Sequence, residues 1–345
     1  MHFFNKTTGM RCSKFKSGSM IQWGIIGCGD VTEVKSGPAF NKIPGSILVA
    51  VMRRDSEKAK SYAARHQVPK WYADADALIH DPDVNAVYIA TPPSTHEQYT
   101  LAALNAGKPV YVEKPMALNA ESAKRMVDKA NEKNLPLVVA HYRREQPMFK
   151  KVKHLLEDGT IGWVWFAKME FYKRPQDTAE RRLAKNAWRI NTAISGGGLF
   201  HDLAPHQLDL MYYFFGEADT INGMALNQQK LYDADDIVTG NILFKSGIVF
   251  NGLWCFGVDE NEEKDICEIV GSKGKIQFSV FGEPKINLVV EGKKENILFD
   301  ALAHVQQPMI QKVVDYFLGH GPNPCPGEDG VTVMEMMDKM VGRTL

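Results

Sequence analysis

The run Ile21-Gln22-Trp23-Gly24-Ile25-Ile26-Gly27-Cys28-Gly29-Asp30 reads as a short buried strand that turns at glycines into a helix. With no Cβ at Gly27 and Gly29, the backbone can approach a pyrophosphate closely. A helix start offers phosphate charge its free N–H groups and the positive end of its dipole. The turn continues through Asp30 and Val31 to Thr32, which occupies the place of the third glycine in the dinucleotide fingerprint GxGxxG. An ordinary strand–turn–helix has the same local pattern, so the surroundings decide between them.

The next apolar run, residues 47–52, ends in Arg53-Arg54. In a dinucleotide-binding βαβ unit the tip of this strand faces the adenosine ribose, where a carboxylate suits the 2′-OH of NAD and an arginine suits the 2′-phosphate of NADP. A guanidinium is a planar, permanently charged fork that matches phosphate geometry. The pair therefore points to NADP, with NAD as the alternative; both arginines also fit a solvated strand end.

Strand-like runs at 22–26, 47–52, 86–90, 110–112 and 137–140 alternate with helical patterns around 56–65, 73–80, 95–106 and 119–133. Such alternation predicts a parallel, doubly wound sheet. After His141 the rhythm changes. A helix around 147–157 is followed by a long β-like run at 163–172, a charged loop before Trp188-Arg189, a glycine cluster and an apolar helix from about 205 to 215. Short strands punctuated by glycine turns then run from 220 to 299, and two helices close the chain. The expected architecture is α/β: an N-terminal Rossmann domain with a parallel sheet over residues 20–140, and a C-terminal α/β domain with a large, mostly antiparallel, open-faced sheet over residues 141–345. Residues 1–19, polar and basic with no apolar core, read as a disordered leader rather than a secretory signal.

The chain has 345 residues, of which 44% are hydrophobic and 24% charged, with a formal net charge of zero. That balance gives no electrostatic argument for nucleic acid or an anionic membrane, and no apolar run is long enough to span a bilayer. Five cysteines without a CxxC pair speak against a disulfide framework and a structural zinc, and for reduced thiols in a cytoplasm.

Two segments carry candidate chemistry. The strand at 110–112 ends in Glu113-Lys114-Pro115. Ligands of open α/β sheets bind outside the carboxyl ends of the strands, so Lys114 is expected in the cofactor crevice, where it can favour a substrate alkoxide; a surface lysine in a rigid turn fits the same sequence. The second segment is Gly196-Gly197-Gly198-Leu199-Phe200-His201-Asp202-Leu203-Ala204-Pro205-His206. Asp202 and His206 fall on one helix face, with Pro205 in the first turn. An imidazole can exchange the proton that accompanies hydride transfer near neutral pH, and the carboxylate can orient it or a substrate hydroxyl. A packing pair fits this spacing equally well. His201 and His141 fit either a place in the site lining or a structural role, and the spacing of His201, Asp202 and His206 does not make a metal site, so no metal is expected.

These residues resemble the glucose–fructose oxidoreductase/inositol dehydrogenase family, written Gfo/Idh/MocA. The resemblance runs through GIIGCGD at 24–30, ATPPSTHEQ at 90–98, VEKP at 112–115, Trp188-Arg189 and GGGLFHDLAPHQLD at 196–209. It implies reversible oxidation of a sugar, polyol or related secondary alcohol, with Lys114, Asp202 and His206 at the catalytic positions. It also implies that Thr91, Pro92, His96, Glu113, Trp188 and Arg189 lie near cofactor or substrate, and that the chain forms homodimers or homotetramers through its C-terminal sheet. Tyr142, just beyond the last Rossmann strand, is placed with the substrate. Arg53 stands where many members have an acidic residue, which again points to NADP. Two other readings are a glycosidase that retains its cofactor and works by transient oxidation and elimination, and a non-catalytic sugar or nucleotide sensor.

Overall fold

A computed structural model describes residues 19–343, without the side chains of residue 181 and residues 184–186. The expected leader therefore lies, but for Ser19, outside the described residues. The first sheet contains β1 (Ile21–Ile26), β2 (Ser46–Met52), β3 (Lys70–Tyr72), β4 (Ala86–Ile89), β5 (Val110–Val112) and β6 (Leu137–Val139). All are parallel, in the order β3-β2-β1-β4-β5-β6. β1, β4, β5 and β6 are buried almost throughout, as expected of strands covered by helices on both faces. The chain order reverses between β1 and β4, which opens a crevice at their carboxyl ends. β3 was not expected from the sequence. It is three residues long, lies at the sheet edge and is only partly buried, so it has no apolar run to betray it.

The second sheet contains β7 (Val164–Tyr172), β8 (Ala218–Leu226), β9 (Ile237–Phe244), β10 (Val249–Cys255), β11 (Lys264–Gly271), β12 (Gly274–Phe278), β13 (Lys285–Val290) and β14 (Lys293–Leu298). Its order is β14-β13-β12-β11-β7-β10-β9-β8, antiparallel except for the β7–β10 pair. Residues alternate between two environments, as the pleat requires. Ala167, Met169, Phe171, Val238, Ile242, Phe250 and Trp254 are buried. They form the inner face, against which helix Gly198–Phe215 packs through Phe200–Trp254 and Phe215–Phe244 ring contacts. On the other face Phe166, Val249 and Leu243 lie side by side in register and are 39%, 47% and 40% exposed, a short apolar row open to solvent.

The charged stretch before Trp188, read as loop, holds the short helices Thr178–Arg182 and Ala184–Ile190. The long helix starts at Gly198, earlier than expected, so Pro205 lies in its interior rather than its first turn. The glycine cluster misled because it serves packing as well as turning: a Cβ on Gly197 would stand 2.1 Å from His201 Nδ1. Helices Gln307–Phe317 and Gly327–Met340 return to the first sheet. Phe317 stacks on Trp23 at 5.5 Å, and Asp338 accepts a hydrogen bond from the Ala120 N–H at 2.7 Å. Among the described residues no helix is long and apolar enough to cross a membrane.

Candidate active site

The glycine turn after β1 fits the phosphates of a dinucleotide. Gly27 has φ +95°, and a Cβ there would stand 2.8 Å from the Thr91 backbone nitrogen, so only glycine lets the β1 and β4 turns meet. At Gly29, by contrast, a Cβ would meet nothing nearer than Gly27 O at 3.9 Å, which leaves the turn open above the start of helix Asp30–Val34. Thr32 is buried. Its hydroxyl donates to Gly29 O at 2.9 Å, and its carbonyl accepts from Tyr62 at 2.8 Å, so the residue in the third-glycine position ties the helix to the turn. Arg53 Nη1 donates to Cys28 O at 3.3 Å, which holds the guanidinium against this turn, while Arg54 is exposed and lines a hollow with Asp74 and Tyr99.

Behind the crevice, His96 is buried with Nδ1 2.9 Å from Pro115 O and Nε2 2.7 Å from Thr91 O. It thus straps the turn after β4, Thr91-Pro92, to the turn after β5, whose Lys114–Pro115 peptide is cis. Glu113 is also buried: its carboxylate accepts from Tyr88 and from Gln306, each at 2.6 Å, and from the Lys114 N–H at 3.2 Å. His96 and Glu113 shape the crevice from behind through these contacts.

Lys114 and Asp202 come together from different units. Lys114 Nζ donates to Asp202 Oδ1 at 3.0 Å and to Asp202 O at 2.8 Å. Arg189 Nε donates to Asp202 Oδ2 at 2.9 Å, and the Arg189 guanidinium lies 4.6 Å from the Trp188 ring centroid. Burial alone would raise the Asp202 carboxyl, but the charges of Lys114 and Arg189 outweigh it and hold its pKa below the usual range. Asp202 therefore orients Lys114 and Arg189, not the His206 imidazole as one reading of the spacing had it.

His206 is 4% exposed and packs edge-on against Tyr142 at 5.2 Å and Phe281 at 5.5 Å. Its Nδ1 has no hydrogen-bond partner among the described residues. Burial, then the charges of Lys114 and Arg143, push its pKa well below the ordinary histidine value. The imidazole is thus held toward the neutral form, which can accept a proton.

Sequence reasoning missed two walls of the site. Arg143 follows Tyr142 in the short 3-10 turn Tyr142–Glu145 and lies over the Phe281 ring at 4.6 Å. Phe281 follows β12, and no spacing places it near His206; the fold of the second sheet does. The neighbouring Arg144 is a scaffold group, donating to Asp209 from Nε at 2.9 Å and Nη2 at 2.6 Å and to Asp329 from Nη1 at 2.5 Å. His141 and His201 are buried away from solvent. Among the described residues no group of three or more His, Cys, Asp or Glu side chains is arranged to hold a metal.

Residues 21–141 match a family described as oxidoreductases with an NAD-binding Rossmann fold, and residues 149–277 match the GFO/IDH/MocA C-terminal domain. The chain belongs to the Gfo/Idh/MocA oxidoreductase family. It is 47% identical over 324 residues to oxidoreductase P35 of Formosa agariphila, covering 94% of this chain and 99% of that one. It is 27% identical to 1,5-anhydro-D-fructose reductase of Ensifer adhaerens, over 90% of this chain and 92% of the relative. The structure of levoglucosan dehydrogenase in complex with NADH and levoglucosan shares the fold, with a TM-score of 0.81 at 24% identity over 93% and 96% of the two chains. As a member of Gfo/Idh/MocA, the protein is an NAD(P)-binding oxidoreductase.

Proposed function

We propose that the protein prefers NADP and moves a hydride to or from a secondary alcohol or carbonyl carbon of a sugar-like substrate. The observation that carries this reading is the Lys114–Asp202 contact, which joins the carboxyl end of a Rossmann strand to the helix that bears His206. The backbone from Gly27 and Gly29 through Asp30, Val31 and Thr32 would hold the pyrophosphate. Arg53 and Arg54 would hold the 2′-phosphate, and Thr91, Pro92, Trp188 and Arg189 would flank the cofactor and substrate. When bound, the nicotinamide supplies the acceptor or donor of hydride. In the oxidising direction the substrate carbon loses a hydride while its hydroxyl gives a proton to neutral His206. The Lys114 ammonium, held by Asp202, stabilises negative charge on the reacting oxygen. Tyr142 and Phe281 wall the imidazole off from water.

The apolar row Phe166–Val249–Leu243 supports assembly of homodimers or homotetramers through the open sheet face. The described cysteines are free thiols, in keeping with a reducing, cytoplasmic setting. A panel of sugars and polyols assayed with NAD and NADP for appearance of the reduced nicotinamide tests the reaction. Absence of hydride transfer across a broad panel would overturn it, and tighter binding of NAD than of NADP would overturn the preference.

A further inference from the structure

The charges around His206 do not balance. Lys114 and Arg189 share the Asp202 carboxylate. Lys35, at the end of the glycine-turn helix, and Arg143 form no ion pair among the described residues. Both are close enough for their charges to act on His206 and on each other, while the Glu113 and Asp202 carboxylates offset part of the charge at Lys35. The carboxylate whose charge reaches Arg143 is Asp265, and it is already engaged: Oδ1 accepts from the Val280 N–H at 3.0 Å, and Oδ2 from the Phe281 and Gly282 N–H groups at 2.5 and 3.0 Å.

Arg143 and Arg144 show the contrast within one turn. Arg144 is buried against two carboxylates, as the cost of desolvating a guanidinium demands. Arg143 has its Nε out of contact with solvent and with no acceptor among the described residues. Three aromatic rings hold it instead: Phe281 at 4.6 Å, Tyr142 at 5.6 Å and Phe149 at 5.8 Å. Cation–π contacts fix a guanidinium in place while leaving its N–H edge to a ligand. Phe281 is also the ring that packs on His206, so guanidinium and imidazole pack on a single side chain, and the Arg143 charge reaches the imidazole.

We infer that the substrate is an acidic sugar, whose carboxylate or whose sulfate or phosphate ester is received by Arg143 with Lys35 beside it. This deepens the proposed function and rests on the placing of the reaction at Lys114 and His206. Two oxygens of a carboxylate or of a sulfate or phosphate ester match the guanidinium fork, and an anion here relieves the crowding of positive charge around the imidazole. A neutral polyol brings no charge to a guanidinium that has no ion pair among the described residues.

The test uses the full chain with D-glucuronate and D-galacturonate as carboxylate probes, D-glucose 6-sulfate and 6-phosphate as ester probes, and D-glucose and D-galactose as neutral controls. Calorimetry on the NADP-loaded protein reads binding, and formation of reduced nicotinamide reads transfer. At least one acidic probe should bind about tenfold or more tightly than its neutral counterpart. Arg143→Gln should abolish that margin and Arg143→Lys should keep part of it, with NADP affinity and melting temperature unchanged in both. Preference for the carboxylate or the ester arm names the group. Equal or tighter binding of the neutral sugars would overturn the inference. So would an Arg143→Gln variant that loses NADP affinity, which would give the guanidinium to the cofactor. Hydride transfer from neutral sugars alone would remove the acidic substrate and leave the proposed reaction standing. Arg143-dependent binding of acidic sugars without hydride transfer from any probe would do the reverse.

Discussion

Lys114 grips Asp202 twice, through the carboxylate at 3.0 Å and through the backbone carbonyl at 2.8 Å. The second contact is made to a backbone carbonyl of the helix that bears His206. The ammonium is therefore fixed in direction as well as position, with its remaining proton left for the reacting oxygen.

Lys114→Met should lower turnover by about a hundredfold or more, the usual scale for a positioned proton-handling group, and should leave cofactor binding close to that of the unmodified protein. Asp202→Asn should fall between the two, because Arg189 and the backbone carbonyl still hold part of the arrangement. Steady-state kinetics with a separate cofactor titration checks this; normal turnover in the Lys114 variant would remove it from the mechanism.

Cofactor choice should follow Arg53 and Arg54. Replacing them with Asp and Ser should weaken NADP binding by roughly 1.5–3 kcal/mol for each charge-assisted hydrogen bond to the phosphate that is removed. NAD binding should stay nearly unchanged. Fluorescence titration of both cofactors into both proteins gives the answer.

Because burial holds His206 neutral, kcat/KM should show no acid limb near pH 6.5, where an exposed histidine would titrate. His206→Gln should lower the whole profile rather than remove one limb. A limb at about pH 6.5 that disappears in this variant would show that the imidazole titrates in the free enzyme after all.

Stability should fall on acidification. His96, His141, His201 and His206 are all buried with pKa values below the ordinary one, for His201 at about 3, with burial the leading cause. The unfolded chain then binds more protons than the folded one. The stabilisation is full above the unfolded value of about 6.5 and is lost as pH falls below it, at up to about 1.4 kcal/mol per pH unit for each imidazole. Asp209, raised to about 6 by burial, and Asp235, also raised by burial, work in the opposite sense but are two groups against four. Melting temperatures at about pH 7.5 and about pH 5.5 should differ clearly, and His201→Gln should shrink the difference.

Asp265→Ala should release the turn that carries Phe281. Removing a carboxylate that serves three backbone N–H groups should cost about 1–3 kcal/mol of stability and raise KM for the sugar, with the cofactor dissociation constant unmoved. Equal weakening of cofactor and substrate would show a general loosening of the fold instead.

Much of the site could be read from the chain because its parts sit at element ends. Lys114 follows a buried strand directly, and Asp202 and His206 are one helical turn apart, so each position follows from local periodicity. Arg143 and Phe281 had no such signal. Arg143 stands beside a second arginine of opposite environment, and nothing local says which of the two is the scaffold. Phe281 reaches His206 only because β12 lies where the second sheet puts it and Asp265 gathers the turn behind it. The same logic separates the strands: β1, β2 and β4 are apolar runs, whereas β3 is a strand only because β2 offers it an edge.

Helix Gly327–Met340 has a mechanical consequence. Near its end Asp338 is bonded to the start of helix Ala120–Lys133 in the first unit, and Met340 fills a notch at Gly240 of the second, where a Cβ would stand 2.5 Å from its sulfur. Arg343 then reaches back to the carbonyls of Leu118 and Gly196, one on each side of the cleft. A jaw needs a hinge line that few contacts cross, and this line is riveted. The enzyme should therefore admit and release its ligands by small local movements, such as that of the turn bearing Phe281, while the two halves of the molecule travel as one piece.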